Sequence, residues 1–290
     1  MNINKYIYYI PLFIVALIWS TTNFITKDLL VSIGPMSILV YRFLTPVILL
    51  TIVNLLRKKN ILSNWKIGFG TGLFLGVFYC FQNFSLLFTG PVNSSFFLNS
   101  FIIFIPFLMF IFEKKPIKFF DIITISLAIL GLFFIGGNLG GLGFGDGLCV
   151  IGAFLYAIYI VLVNKYASKE DVLVEVNQQF IVVLTIAFIG SFMNRETLSL
   201  NISIIPQLLY LSLFPTLFCL LVINWSEKKV NLLLSSLIIS LDAVLSAVFA
   251  VYIGNIQWTL PLIIGIIIFQ IGLLSDNSIL RGNIIKIFKK

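Results

Sequence analysis

Histidine is absent from the 290 residues. Its absence removes histidine-based metal sites and the Ser/His and Cys/His catalytic pairs together. Charge is scarce as well: Asp, Glu, Lys and Arg make up 10% of the chain, against about 25% in a soluble domain. That is too little to cover a water-facing surface. Cysteine is limited to Cys80, Cys149 and Cys219, each inside an apolar stretch, which argues against a disulfide framework. No Gly-x(4)-Gly-Lys-Ser/Thr loop occurs, so this chain is not expected to bind a nucleotide at such a loop and draw on its hydrolysis. No acid pair or metal-ligand cluster is evident either. The sequence therefore does not read as an enzyme, and no cofactor or metal is expected.

What the chain has in abundance is hydrocarbon. Sixty per cent of it is hydrophobic, including 30 phenylalanines, and its mean hydropathy is +1.10. Residues 6–25, 67–81 and 232–253 carry few or no charges. About 20 apolar residues cross the hydrocarbon core as a helix. In lipid the backbone must satisfy its own hydrogen bonds, which leaves helices or closed barrels. These runs are too long and too uniformly apolar for barrel strands of about 10 alternating residues. The reading is an all-α integral membrane protein with ten transmembrane helices at 8–26, 36–55, 67–88, 93–112, 119–137, 146–164, 174–193, 204–225, 231–252 and 258–276. The first stretch is too long for a signal-peptide core and reads as a retained helix.

The net charge of +8 would suggest nucleic acid in a soluble chain. Its distribution says otherwise. With both termini cytoplasmic, Lys5, Arg57, Lys58, Lys59, Lys66, Lys114, Lys115, Lys118, Lys165, Lys169, Lys228, Lys229, Arg281, Lys286, Lys289 and Lys290 fall inside. Lys27 and Arg195 fall outside, and Arg42 lies within a helix. Such an imbalance is a positive-inside signal, and a missed helix would invert every later loop. The basic charge thus reports topology in a cell (plasma) membrane, with no nucleic-acid partner expected.

The two halves resemble each other. Trp19 and Tyr156 stand in similar helices, and 23 residues after each come Arg42-Phe43 and Gln179-Phe180, an offset of 137. Phe-Glu113 and Gly-Asn255 follow at an offset of 142. Five helices per half make the second copy enter the membrane from the opposite side, giving two inverted repeats. The expected division is 1–137, a glycine-rich linker at 138–145, 146–277, and a basic cytoplasmic tail at 278–290. Proteins built this way commonly bind a solute near the midplane, between the halves.

The ordered motifs resemble the EamA family of the drug/metabolite transporter superfamily. Helix one carries Ala-Leu-Ile-Trp19-Ser-Thr-Thr-Asn23-Phe, and Gly34-Pro35 and Tyr41-Arg42-Phe43 follow. Helix four ends Phe-Glu113-Lys-Lys-Pro116, helix six begins Gly145-Asp146, and Gly131 and Gly272 fall in helices five and ten. Where the family often has Glu-Pro in helix nine, this chain has Asp242-Ala243. The resemblance implies ten helices and carriage of a small metabolite, an amino acid or similar solute, by alternating access. A proton or the solute's own gradient would drive it; export, import, and monomer or homodimer stay open. A membrane-embedded enzyme or a non-transporting sensor or assembly subunit are the alternatives, the latter expected to lack a solute-sized cavity.

Charge inside a span costs roughly 2.5–3.5 kcal/mol at the centre on insertion scales and needs a reason. Asp242 is expected about 16 Å into helix nine, near the midplane. It is the candidate for meeting a solute ammonium or for gaining and losing a proton. Arg42, about 9 Å below the outer face, reads as a structural charge, with carboxylate or phosphate binding as the other role. The further candidates for solute contact are Trp19, Asn23, Tyr79, Gln82, Asn83, Asn99, Tyr156, Tyr159, Gln179 and Asn224. Any single buried amide, Gln178 included, is more often a helix–helix clamp. Gly68, Gly72 and Gly76 recur every four residues, the small-residue row that lets helices approach. Gly143-Phe144-Gly145-Asp146 imitates an intramembrane aspartyl protease motif, but its Tyr-Asp partner is missing and Asp146 reads as an N-cap.

Overall fold

A computed structural model describes residues 8–136, 143–166, 171–198, 200–227 and 229–275. Residues 138–142 of the expected 138–145 linker and the tail at 278–290 lie outside the described residues, as do Lys5, Lys169, Lys228, Arg281, Lys286, Lys289 and Lys290.

Among the described residues ten apolar helices follow one another: α1 (Tyr9–Leu29), α2 (Pro35–Leu56), α3 (Trp65–Phe88), α4 (Pro91–Glu113), α5 (Phe119–Gly136), α6 (Phe144–Tyr166), α7 (Val172–Met193), α8 (Ile202–Ser226), α9 (Leu232–Tyr252) and α10 (Leu260–Ser275). Eight are long and apolar enough to span a bilayer alone. The shorter pair, α5 with 18 residues and α10 with 16, pack on each other. The burial pattern is that of a protein dissolved in lipid. Large apolar side chains such as Ile10, Phe13, Leu17, Ile48, Phe107 and Phe192 face outward, while Asn23, Arg42, Asn83, Gln179 and Asn224 are buried. The chain is an all-α membrane protein.

Two five-helix halves are related by exchange of helix i with helix i+5. Helix α3 packs on α7 as α8 packs on α2, and α4 packs on α6 as α9 packs on α1. Equivalent residues touch each other, which places them at the symmetry axis. Trp19 meets Tyr156 at 6.0 Å between ring centroids, and Phe43 meets Phe180 at 5.3 Å. The helix-five and helix-ten glycines make one contact twice. A Cβ on Gly131 would sit 2.6 Å from the Phe269 backbone nitrogen, and one on Gly272 would sit 3.1 Å from that of Ala128. The row Gly68, Gly72 and Gly76 faces α7, where a Cβ on Gly72 would stand 2.9 Å from the Gln179 Cα.

Three helices are irregular. In α4, Pro91–Leu98 gives way to Phe101–Glu113 at Asn99-Ser100. In α9, Leu232–Ile239 gives way to Leu241–Tyr252 at Ser240. No proline stands at either break. Side chains instead bond back to the preceding turn, a habit that bends helices: Asn99 Nδ2 to the Ser95 carbonyl, Ser100 Oγ to that of Phe97, and Ser240 Oγ to that of Ser236. The middle of α8, Ser212–Phe218, is a π-helical stretch around Pro215. A π-turn frees carbonyls and often marks a functional site.

The two ends of the bundle differ in charge. At the end where α1 begins, Arg57, Lys58, Lys59, Lys66, Lys114, Lys115, Lys118, Lys165 and Lys229 gather; Lys27 and Arg195 stand at the far end. Acids close both N-termini of the α2–α7 pair. Glu196 at the far end accepts the Met36 and Ser37 backbone N–H groups at 3.2 and 2.7 Å, and Gly34 leaves room for its side chain. Asp171 at the basic end caps α7 through the Leu173 N–H and pairs with Arg57 at 2.6 Å.

Candidate functional site

The irregular helices converge. Leu98 and Ile239 end the first pieces of α4 and α9; Phe101 opens the second piece of α4, and Asp242 is the second residue of that of α9. All four line a cavity between the two halves, together with Trp19, Thr22, Asn23, Arg42, Phe78, Tyr79, Gln82, Asn99 and Tyr156. About 470 Å³ of space, mouth included, is free of atoms there.

Polar groups enter this space from fixed positions. Asp242 stands midway along α9, and its Oδ1 accepts from Asn99 Nδ2 at 2.6 Å across the two breaks. It is not paired with Arg42. Arg42 is 1% exposed. Its Nε donates to Thr216 Oγ1 at 2.6 Å, and its guanidinium lies 4.6 Å from the Tyr79 ring centroid. Its Nη1 has no hydrogen-bond partner. The π-turn of α8 presents both Thr216 and the Pro215 carbonyl, which accepts from Trp19 Nε1 at 2.9 Å. Asn23 donates to Ser95 Oγ and accepts from Gln82 Nε2. Ser95 continues to Ser246, and Phe24 meets Phe249, which ties α1, α4 and α9 together. Tyr156 rests against Trp19, Phe78 and Phe101, forming an aromatic wall.

Seven of the expected contact residues thus share one cavity: Trp19, Asn23, Tyr79, Gln82, Asn99, Tyr156 and Asp242. Four do not. Asn83 clamps α3 to α2 through the Pro35 carbonyl at 2.9 Å. Tyr159, Gln179 and Asn224 form a separate buried network: Gln179 Nε2 donates to Thr71 Oγ1 and Asn224 Oδ1, Asn224 Nδ2 to the Tyr159 hydroxyl, and that hydroxyl to Gln179 Oε1. These bonds join α3, α6, α7 and α8 on the basic side of the cavity. Gln178 grips the Ile61 and Ser63 carbonyls. Arg42 braces α2 to α8, as a structural charge would, but it also lines the cavity. One expectation, the N-cap role of Asp146, needs correction. Asp146 is the third residue of α6, not its cap: its carboxylate reaches back to the Gly143 N–H at 2.8 Å and takes a bond from Thr89 at 2.6 Å, as the acid of a capping box does. Thr22, Phe78, Leu98, Phe101 and Ile239 complete the lining; as ordinary apolar or small span residues they carry no sequence signal.

Family comparison speaks to this arrangement. A model of the EamA-like transporter family matches residues 6–137 and again residues 143–275, one copy per half. The chain belongs to the EamA-like transporter family. It is also similar to an uncharacterized transporter of Archaeoglobus fulgidus, with 25% identity over 239 residues, 82% of this chain and 75% of that protein. A crystal structure titled only as that of a protein superposes with a TM-score of 0.77 at 15% identity, covering 94% of this chain and 97% of the other. That likeness concerns the fold alone. EamA membership and multiple spanning helices make the chain a multi-pass membrane transporter, in contact with lipid and handling a small solute. The family points to a transporter rather than an enzyme.

Proposed function

We propose that this EamA-family transporter carries a small zwitterionic solute, of which an amino acid is the simplest class, by alternating access. In this reading it works in the plasma membrane with the basic end in the cytoplasm, and the halves are 1–137 and 146–277 joined at 138–145. Asp242 is the group that exchanges a proton as the solute moves, and proton entry drives solute export.

The observation that carries the reading is one cavity holding Arg42 and Asp242, neither of them ion-paired among the described residues. An unpaired charge out of water is costly unless something compensates it. Arg42 is fixed by one hydroxyl and one aromatic face and has Nη1 to spare. A carboxylate is the natural complement of that fork. Asp242, held on one oxygen by Asn99, complements an ammonium. A zwitterion satisfies both at once and enters with no net charge. The aromatic wall of Trp19, Phe78 and Tyr156 offers an apolar side chain a place to rest. No second carboxylate lines the cavity, so the acid pair of an aspartyl enzyme has no support there.

Counterflow in liposomes tests this. Radiolabelled amino acids, the amines lacking their carboxylates and the acids lacking their ammonium groups are compared. Exchange should be confined to the zwitterions. Arg42→Met should reduce it on the order of tenfold or more, since a charge-assisted hydrogen bond is worth about 1.5–3 kcal/mol. Equal exchange of the singly charged analogues, or none with any class, overturns the reading.

A further inference from the structure

Beyond the cavity the molecule buries another acid. We infer that Glu227 is a second proton-binding site, whose protonation keeps the basic end of the pathway shut; the inference rests on the transporter reading above.

Glu227 follows the last residue of α8, in the connection to α9. It is 0% exposed, and neither carboxylate oxygen has a hydrogen-bond partner. No Lys or Arg among the described residues forms an ion pair with it. Among the described residues the nearest donors are engaged elsewhere, and the charged groups Lys115, Lys118 and Asp121 line the hollow beyond them without forming an ion pair to Glu227. The Ser235 hydroxyl on α9 donates to the Leu232 carbonyl at 2.9 Å. Asn164 on α6 holds the Glu227 backbone carbonyl at 2.5 Å rather than its carboxyl. Lys229 turns to the rings of Tyr8 and Trp225, 4.7 and 4.3 Å from their centroids. The titratable groups of α6 within electrostatic reach are Tyr156 and Tyr159; neither brings a positive charge.

A carboxyl in such a place is comfortable only as the neutral acid. Burial pushes its pKa up to about 8, with Ser235 pulling the other way, so the proton is held at neutral pH and lost in mildly alkaline solution. Two features connect it to the pathway. Three residues earlier on α8, Asn224 is bonded to Tyr159 and Gln179 in the network on the basic side of the cavity. On the other flank, a hollow at the basic end, about 1000 Å³ with its open mouth included, has Asn164, Val230, Asn231, Leu232 and Leu233 among its lining residues. Asn164 therefore forms part of that hollow while gripping Glu227. Loss of the proton leaves an anion that must draw water from the hollow, which loosens the α8–α9 connection and the Asn224 bonds beside it.

Infrared titration of the reconstituted protein tests this directly. Wild type should show a protonated-carboxyl C=O band that disappears with a midpoint near pH 8. The band should be absent in Glu227→Gln and retained in Asp242→Asn. A reporter thiol, Ser235→Cys, should react with an impermeant maleimide faster above that midpoint than below it. The ratio of rates should exceed that in the Glu227→Gln background by roughly tenfold, one pKa unit of coupling; this comparison cancels the thiol's own titration. A band that persists in Glu227→Gln, or equal ratios in the two backgrounds, overturns the inference. Should Glu227→Gln not fold, Glu227→Asp must shift the band and its midpoint, and an unmoved band overturns it equally. Failure of the solute reading is distinguishable, because it silences counterflow while leaving band and labelling intact.

Discussion

The contact between α5 and α10 allows a graded test of the inverted repeat. Replace Gly131 by alanine. The added Cβ would lie 2.6 Å from the Phe269 nitrogen and 2.8 Å from both the Gly265 oxygen and the Phe269 Cα. All three are main-chain atoms and cannot rotate away. To recover a contact of about 3.5 Å the helices must part by about 0.9 Å. Overpacking of this kind costs about 1–3 kcal/mol. On soluble-domain scaling that is a fall of roughly 2–10 °C in apparent melting temperature. Gly272→Ala makes the equivalent contact from the other half, at 3.1 Å from the Ala128 nitrogen; the same contact is looser there, so the loss should be smaller. Gly70 has nothing within 4 Å of its Cβ position, so Gly70→Ala should be neutral or slightly stabilising, given the better helix propensity of alanine. The assay is size-exclusion chromatography of detergent-solubilised protein after heating. The order Gly131, then Gly272, then Gly70 is the prediction. A Gly131→Ala protein as stable as wild type refutes the close approach and with it the matched contacts of the two halves.

Two further outcomes follow. Asp242→Asn should remove the pH dependence of solute exchange while leaving thermal stability near wild type, because the amide keeps a hydrogen bond with Asn99; flux that still varies with pH in this variant removes Asp242 as the proton site. Asp171 has its pKa lowered, chiefly by the hydrogen bond from Arg57, so the stability it contributes is present above the ordinary aspartate pKa and lost as pH falls through its depressed folded value. Melting temperatures compared at neutral and strongly acidic pH should therefore differ less in Asp171→Asn than in wild type, and an unchanged difference would show that the pair contributes nothing.

The helices were legible because a run of apolar residues long enough to cross lipid has few other fates, and their ends fall within three residues of the sequence reading. Asp242 was legible because a lone acid in such a run needs a reason. The faces of the helices were far less so. Lipid outside and apolar packing inside leave little amphipathic contrast, so nothing separated Asn23 and Gln82, which line the cavity, from Asn83 and Asn224, which do not. The breaks in α4 and α9 escaped because serines and an asparagine make them without a proline. Glu227 escaped for another reason: it stands beside Lys228-Lys229 and reads as part of a solvated charge run, although the fold buries it.

The pseudo-symmetry also bears on which way the molecule rests. Arg42 and Gln179 are repeat partners, and each bonds a threonine of the opposite half, Thr216 and Thr71. Around Gln179 the amide, hydroxyl and asparagine groups lock together; around Arg42 one nitrogen goes begging. An exchange of shapes between the halves would therefore not be a passage between equals. The amide side is self-sufficient and the arginine side is incomplete, so under the alternating access proposed above an empty molecule would rest with the amides together, and a guest that satisfied the arginine would bring the two arrangements into balance.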